Sequence, residues 1–434
     1  MKSMKKLVLV GLVLLAIVMV LVGCDTPLEP KSTTVNEQAG GSGQSSGTSV
    51  ENDSVPEVTP AKLVSITVTP PTRTVYSVGE EFDPTDMVVT ATYDDGEPRE
   101  VTGWTTNFDA VTSEKGVNKN VTVSYTEGEI TKQDSFTVVV FPEGVKILTD
   151  YTSPNHTDNT WTYVAFGEWP QSEVKDFSPK TAATSYGIFK DNYYEEDDGK
   201  YVKVNDKYFK VEPIIWRVLN AKDGKYNTSE NPLLLAEKIL IGGIEWDDNK
   251  SDYKESNIRK WLNGNSGSGE QSDYSGDVGF LQTAFTTDAQ KLIVETIVDN
   301  TARSTNPDSN AREWKDGENE YACGNTTDKI FLLSEQEATT EEYGFAVFDE
   351  YVGDSKGTTT STRIRVTTDY ANATEAYQNG TTGYGGWWWL RSPCSIYKYT
   401  VLCVDYDGDA DINVIVEDTE VGVVPALSIS MNGD

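Results

Sequence analysis

The feature that most restricts the fold is a series of short alternating strands between residues 62 and 141. Apolar and polar residues alternate in "LVSITVTP" (63–70), "MVVTATYDDG" (87–96), "KNVTVSYTEG" (119–128) and "SFTVVVF" (135–141). A period of two residues is typical of strands that bury one face, and the Asp-Gly and Glu-Gly pairs between them favour tight turns. This stretch therefore predicts a small β-sandwich.

The N-terminal residues have a different texture. A basic start leads into an apolar run of 16 residues, 7–22, which is followed closely by Cys24. This order resembles a bacterial lipobox, so residues 1–23 are predicted to be a lipoprotein signal peptide and Cys24 the lipidated residue. The alternative, an uncleaved membrane helix, is left open, although the run is short for a membrane span. Residues 24–61 are rich in Ser, Thr and Gly and are predicted to be a disordered linker.

The charge of the chain restricts its partners. Lys and Arg number 36 against 69 Asp and Glu, which gives a formal net charge of −33. Such a surface repels nucleic acid and anionic lipid headgroups, so no nucleic-acid partner is expected. The expected contact with the membrane is the lipid on Cys24. The predicted location is the bacterial cell envelope, at the outer membrane or the cell surface.

Residues 62–141 also resemble a known family. The stretch "LVSITVTPPTRTVYSVGEEFDPTDMVVTATYDDGEPREVT" (63–102) is similar to bacterial Ig-like domains of the group that often stands between a membrane anchor and a binding domain. The resemblance implies a spacer module, and we predict no chemistry in it.

A second resemblance extends over residues 163–430 of a C-terminal body at 145–434. A series of motifs looks like one bacterial family of uncharacterised extracellular domains: "FGEWPQS", "PIIWRVL", "LLLAEKIL", "IRKWLNG", "DKIFLLS", "TTDYA", "WWWLRSP" and "GVVPALSI". That family resembles the lectin-like fold of C-type lectins and the formylglycine-generating enzyme. The resemblance implies an α+β lectin-like domain whose final hairpin region carries the ligand surface. Some relatives are diversified there, and whether this chain is diversified is left open.

Local patterns in the body predict individual elements. Apolar residues at helical spacing predict helices over 254–264 and 286–300. Ser334 and Glu337 have the spacing of a capping box and predict a helix start. The polar stretch 176–205 is predicted to be a surface insertion. Helices early and strands late favour the α+β class.

The stretch "CVDYDGDADIN" (403–413) carries aspartates at alternate positions and raises the question of a calcium loop. An EF-hand loop needs glycine at position 6 and glutamate at position 12. Registers that start at Asp405 or Asp407 both lack the glycine. We therefore predict no metal site and no cofactor, and leave a looser calcium site open.

The same stretch is typical of a β-hairpin with a two-residue type I′ turn at Asp407–Gly408. This turn fixes a register with six cross-strand pairs: Tyr406–Asp409, Asp405–Ala410, Val404–Asp411, Cys403–Ile412, Leu402–Asn413 and Val401–Val414. Strand alternation explains the aspartates, but not the apolar and aromatic residues on the face predicted to be wet. Exposed aromatic groups among acids are typical of a binding surface. The predicted ligand-binding residues are Tyr397, Tyr399, Leu402, Val404, Tyr406, Asp409, Asp411 and Asn413. The alternative, that another loop covers this face, is left open.

Three further features bear on function. The indoles of 387–389 suit a sugar-stacking platform, although at least two of them are expected in the core. Cys323, Cys394 and Cys403 allow one disulfide, whose pairing is left open. Cys394 stands where the family has glycine after "LRSP", and Val424 stands where it has arginine.

We therefore predict a surface lipoprotein that presents a non-catalytic domain for a protein or glycan ligand on an Ig-like stalk. One alternative is a structural envelope lipoprotein with no soluble ligand. The other is an enzyme of the formylglycine-generating type, which holds copper with a close cysteine pair. The nine-residue separation of Cys394 and Cys403 disfavours that enzyme.

Overall fold

The computed structural model describes residues 60–155, 161–219, 221–222, 225–226, 231–264, 278–302, 304, 319–345, 362–381, 383–395, 397–410 and 412–431. The predicted signal peptide, Cys24, most of the predicted linker and Asp411 lie outside these residues.

Residues 63–141 form two sheets around their own apolar core. The elements are β1 (Leu63–Thr69), β2 (Val75–Ser77), β3 (Val88–Tyr93), β4 (Pro98–Glu100), β5 (Thr105–Thr106), α1 (Phe108–Thr112), β6 (Gly116–Glu127) and β7 (Ile130–Phe141). One sheet has the order β1-β3-β4 and the other the order β2-β7-β6-β5. Alternate residues of β3 are buried, as the period of two predicted. The arrangement agrees with the predicted β-sandwich.

The body is built on an eight-stranded sheet. Its strands are β8 (Lys146–Ile147), β9 (Tyr163–Glu173), β10 (Thr184–Tyr186), β11 (Phe189–Glu196), β12 (Gly199–Val204), β13 (Lys207–Val218), β16 (Leu233–Ala236) and β22 (Ala426–Ser428). The order is β10-β11-β12-β13-β16-β22, and β9 pairs with both β13 and β8. The prediction of a surface insertion at 176–205 is wrong, because β10–β12 extend this sheet and bury Phe189, Tyr193 and Val202.

Smaller strand pairs and short helices complete the body. The strands are β14 (Ala221–Lys222), β15 (Lys225–Tyr226), β17 (Thr296–Val298), β18 (Thr326–Asp328), β19 (Trp388–Pro393), β20 (Thr400–Val404) and β21 (Ile412–Ile415). The helices are α2 (Asn257–Asn263), α3 (Phe280–Ala284), α4 (Thr287–Leu292), α5 (Glu335–Ala338), a 3₁₀ turn (Glu341–Tyr343) and α6 (Asp369–Ala373). Strands precede the first body helix, so the predicted order of helices before strands is wrong.

Local signals placed two helices correctly. In α2, Ile258, Trp261 and Leu262 are buried on one face, as their spacing predicted. At α5, the Ser334 hydroxyl accepts from the amide of Glu337, whose carboxylate accepts from the amide of Ser334, so the predicted capping box is confirmed.

The helix predicted over 286–300 is wrong in its second half. Helix α4 ends at Leu292, and Thr296–Val298 instead pairs with β18. The reason is a run of β-branched residues after Leu292, which favours extended backbone. Ile293 also forms a bridge with Ile429.

The two parts of the chain share packing at their junction. Val139 and Phe141, at the end of β7, lie in the same core cluster as the body sheet. The Ser77 hydroxyl donates to the Val145 carbonyl at 2.9 Å. The Ig-like part is therefore joined to the body by buried side chains as well as by the chain itself.

Candidate ligand-binding surface

The predicted register of the C-terminal hairpin is confirmed within its strands. Strands β20 and β21 are antiparallel, and their partners include the predicted pairs Val401–Val414, Leu402–Asn413 and Cys403–Ile412. The predicted pairs Tyr406–Asp409 and Asp405–Ala410, next to the turn, are not among them. Strand β19 pairs with the other edge of β20 and makes it the central strand of a three-stranded sheet. The hairpin is thus part of a larger structure than the sequence pattern indicated.

The turn of the hairpin differs from the predicted type I′ turn. Of the two predicted turn residues, only Gly408 has a positive φ, at 91°. The amide of Gly408 donates to the Asp405 carbonyl at 3.2 Å, and the Asp405 amide donates to the Asp409 carbonyl at 2.9 Å. The Asp405 carboxylate accepts from the amides of Asp407 and Asp409, each at 3.0 Å. This side chain therefore organises a longer turn than the dipeptide alone predicts.

Three predicted ligand-binding residues are not on the surface. Leu402 and Val404 are 3% and 0% exposed, and Asp409 is also buried. The prediction that they face solvent is wrong, because residues from both faces of β20 belong to the core cluster of the body. Asn413 is exposed on the edge strand β21. Asp411 lies outside the described residues.

A buried arginine explains part of the acidic stretch. Arg363 donates through Nε to the Gly408 carbonyl at 2.7 Å and through Nη1 to the Ala338 carbonyl. Burial lowers the pKa of Arg363 to about 10, while Asp409, Glu335 and Asp405 raise it. Asp405 and Asp409 thus lie near a buried cation, and Asp405 also accepts hydrogen bonds from the backbone. Their charge therefore stabilises the fold of the turn.

The Asp405 carboxyl gives the turn a testable pH dependence. Burial, and then the neighbouring Asp407 carboxyl, raise the pKa of Asp405 to about 7 from its ordinary value of 3.8. The stability contributed by its protonated form is fully present below pH 3.8 and is lost as the pH rises through 7. We expect Asp405→Asn, which keeps an acceptor oxygen, to be more stable than the wild type at pH 8 by about 1–2 kcal/mol. Urea unfolding at pH 8 and pH 4 tests this, since the difference should shrink at pH 4.

Tyr397 and Tyr399 form an exposed patch at the start of β20. They are 57% and 44% exposed, and the Lys398 ammonium lies 4.4 Å from the centre of the Tyr399 ring. Tyr406 lies beyond the other end of β20, about 17 Å of strand away. The structure therefore does not bring the three predicted tyrosines to one surface.

Tyr406 instead belongs to a cluster of four aromatic rings, which we call the aromatic platform: Tyr377, Tyr384, Trp387 and Tyr406. Ring centres are 5.9 Å apart for Tyr377 and Trp387, 6.4 Å for Tyr377 and Tyr406, and 5.4 Å for Tyr384 and Tyr406. Tyr377 and Tyr384 are 38% and 39% exposed, and the other two rings are half-buried. The planes of these three ring pairs are inclined by 62°, 58° and 61°, so the cluster presents both edges and faces of aromatic rings to solvent at Tyr377 and Tyr384.

The backbone around Gly385 and Gly386 holds the platform in place. The Gly385 amide donates to the Tyr406 carbonyl at 2.7 Å, and Gln378 and Gly386 form a β-bridge. A Cβ on Gly386 would lie 2.3 Å from the Tyr377 carbonyl oxygen, so a larger residue would push the Tyr377 segment away. Close approach of these segments requires the glycines of the sequence "YGGWWW".

The acidic turn lies beside the platform. Asp407 and Asp405 raise the pKa of Tyr406, with smaller effects from Tyr377 and Tyr384. Asp407 is half-buried and precedes the tight Gly408 position. Asp405 and Asp409 are buried, so the surface combines the aromatic rings with the half-buried Asp407 carboxylate.

The three consecutive tryptophans have different roles. Trp388 and Trp389 are fully buried, and their indole nitrogens donate to the carbonyls of Arg363 and Ile244. This agrees with the expectation that at least two of them are core. Trp387 alone reaches the platform. The sequence did not identify Tyr377 or Tyr384, although the glycine-rich "GYGGW" was a signal for a close-packed loop.

The cysteines of the described residues are free. The Cys394 amide donates to the Thr400 carbonyl, so the Cys394 backbone lies beside Thr400, three residues or about 10 Å of strand from Cys403. Burial raises the pKa of Cys403 well above its usual range, which disfavours the thiolate that a copper site uses. Cys394 is buried, so this departure from the family pattern does not lie on the exposed surface.

The described residues contain neither a metal-binding cluster nor a membrane-spanning helix. No group of three or more His, Cys, Asp or Glu side chains is arranged to hold a metal ion there. In the same part of the chain, no helix has the length and apolar character needed to cross a membrane.

Two family models match separate parts of the chain. The model of the bacterial Ig-like domain (group 3) matches residues 69–140, which β1 to β7 enclose. The model of a domain of unknown function (DUF6273) matches residues 229–431, which include the hairpin and the whole platform. No curated protein matches the chain. The chain therefore contains a group 3 bacterial Ig-like domain followed by a domain of unknown function (DUF6273).

Proposed function

We propose that this chain is a lipid-anchored protein of the bacterial cell surface that binds a glycan or protein ligand without turning it over. The observation that carries the proposal is the aromatic platform beside the acidic turn. Half-exposed aromatic rings supply contact area at low entropic cost, and pyranose rings stack on such faces. The half-buried Asp407 carboxylate next to the rings can accept a hydrogen bond from a sugar hydroxyl, which favours a glycan.

The other parts of the chain support this arrangement. The lipobox-like sequence at Cys24 provides the anchor, and the Ig-like domain provides the spacer. Because Phe141 and Val139 pack into the body core, the spacer would hold the ligand-binding domain firmly at its end. The cell-surface location and the lectin-like fold are parts of the same proposal.

A binding screen with paired variants tests the ligand site. The chain is applied to glycan and protein arrays, with and without EDTA, beside Tyr377→Ala/Tyr406→Ala and Tyr397→Ala/Tyr399→Ala. We expect the first variant to lose at least tenfold in affinity, because each ring contributes stacking area, and the second to bind normally. Circular dichroism confirms that both variants remain folded.

The remaining outcomes have distinct meanings. Loss of binding only in Tyr397→Ala/Tyr399→Ala would place the ligand on that tyrosine patch and refute the platform. Loss in EDTA would indicate a calcium-dependent site.

A structural envelope role is the second candidate. The burial of Leu402 and Val404 favours it, because these residues were part of the apolar exposure that indicated binding. The absence of any array ligand would support this role over the first.

A further inference from the structure

The body contains a buried charge network that includes none of the platform residues. Arg217, Glu237 and Arg365 are all fully buried. Arg217 donates to Glu237 through Nε at 3.1 Å and through Nη2 at 3.2 Å. The same carboxylate also accepts from the Ser153 hydroxyl at 2.5 Å and from the Asn155 amide at 2.9 Å. Glu237 is thus committed to Arg217 and to two neutral donors.

Arg365 has no comparable partner. Its Nη1 donates to the carbonyls of Ile364 and Thr362, at 2.9 and 3.2 Å. Its Nε and Nη2 are buried and have no hydrogen-bond partner in the described part of the chain. The Trp388 ring, 6.0 Å from the guanidinium carbon, offers only a weak cation–π contact. The guanidinium therefore has unused donors in a site without water contact.

The neighbours of Arg365 include two phenol hydroxyls, each of which has a proton to donate. The Tyr151 hydroxyl is buried and has no partner among the described residues. The Tyr163 hydroxyl is buried beside Ser153 and forms no hydrogen bond of normal geometry in those residues. The two tyrosine rings lie 4.9 Å apart, and both interact electrostatically with Arg365.

The charges of these residues also favour a bound anion. Among the described residues, two arginines and one glutamate leave one buried positive charge uncompensated, which is costly. Consistent with this, burial and then Arg217 lower the pKa of Arg365 to about 9. A bound water would meet some of the donors but leave the charge. A small anion would meet both.

We infer that Arg365, with the hydroxyls of Tyr151 and Tyr163, forms an internal binding site for a small monovalent anion of the chloride type. Such an ion accepts several hydrogen bonds and neutralises the network. The site would stabilise the fold of the body and has no part in ligand recognition.

Thermal unfolding of the purified full chain in sodium chloride and in sodium gluconate, at equal ionic strength, tests the inference. Chloride at ten times its dissociation constant should lower the unfolding constant about elevenfold, and gluconate should not. Arg365→Met should abolish the difference. Arg259→Met is the matched control, because Arg259 is paired with Asp328 and its loss should leave the chloride response unchanged.

A second variant protects the test against misfolding of Arg365→Met. Tyr151→Phe removes only a hydroxyl and should weaken chloride binding about tenfold. Crystals soaked in bromide should show an anomalous peak next to Arg365 Nε and Nη2. The inference is overturned by equal wild-type stability in the two salts, or by an unchanged chloride response in both variants.

Discussion

Replacing Glu237 by glutamine is expected to lower the free energy of unfolding far more than replacing an exposed glutamate does. The substitution removes the carboxylate that faces two fully buried arginines. Breaking a buried ion pair by removal of one partner costs about 3–5 kcal/mol, because the remaining charge stays desolvated. Urea unfolding at pH 7 should show this loss in the free energy of unfolding.

The pH dependence of the same variant identifies the cause. Burial alone would raise the pKa of Glu237. The charges of Arg217 and Arg365 and two hydrogen bonds outweigh burial and lower this pKa to about 2, from an ordinary value of 4.5. The stability contributed by the carboxylate is therefore present above pH 4.5 and is lost as the pH falls towards 2. The difference between wild type and Glu237→Gln should shrink over this range.

Glu168→Gln is the control for Glu237→Gln. Glu168 pairs with Lys200 at 2.8 Å, but both side chains are largely exposed. An exposed pair is worth at most about 1 kcal/mol. Equal losses for the two variants at pH 7 would contradict the role assigned to the buried network.

Trp389→Ala is expected to cause a loss of similar size by another mechanism. Trp389 is fully buried, pairs with Cys403 across the sheet and donates its indole hydrogen to the Ile244 carbonyl. Truncation of a buried tryptophan leaves a cavity and costs about 3–5 kcal/mol. Chemical unfolding followed by far-UV circular dichroism measures it.

Trp387→Ala is the matched comparison, two positions away in the same run of tryptophans. Trp387 is half-buried at the base of the platform, so the expected loss of stability is smaller, about 1–2 kcal/mol. We expect ligand binding to be lost in Trp387→Ala at temperatures where it remains folded. A larger loss of stability in Trp387→Ala than in Trp389→Ala would contradict the division of the three indoles into surface and core.

Several elements followed from local sequence. The alternation in 63–141 predicted the Ig-like strands, and the spacing of Ser334 and Glu337 predicted a helix start. The pattern around Asp407–Gly408 predicted three cross-strand pairs correctly. In each case the responsible residues are neighbours in the chain, and the backbone period or a short-range hydrogen bond carries the information.

Tertiary structure decided the points on which function depends. Leu402 and Val404 are buried because the core of the body includes both faces of β20, one of which the hairpin alone would expose. The platform joins Tyr377 and Trp387 to Tyr406, and the buried network joins Arg217 to Glu237 and, from a distant segment, Arg365. No local period relates these residues, since their distances depend on how separate segments pack. The sequence by itself thus determined the Ig-like strands and the hairpin register, whereas only long-range packing decided which aromatic and charged groups meet.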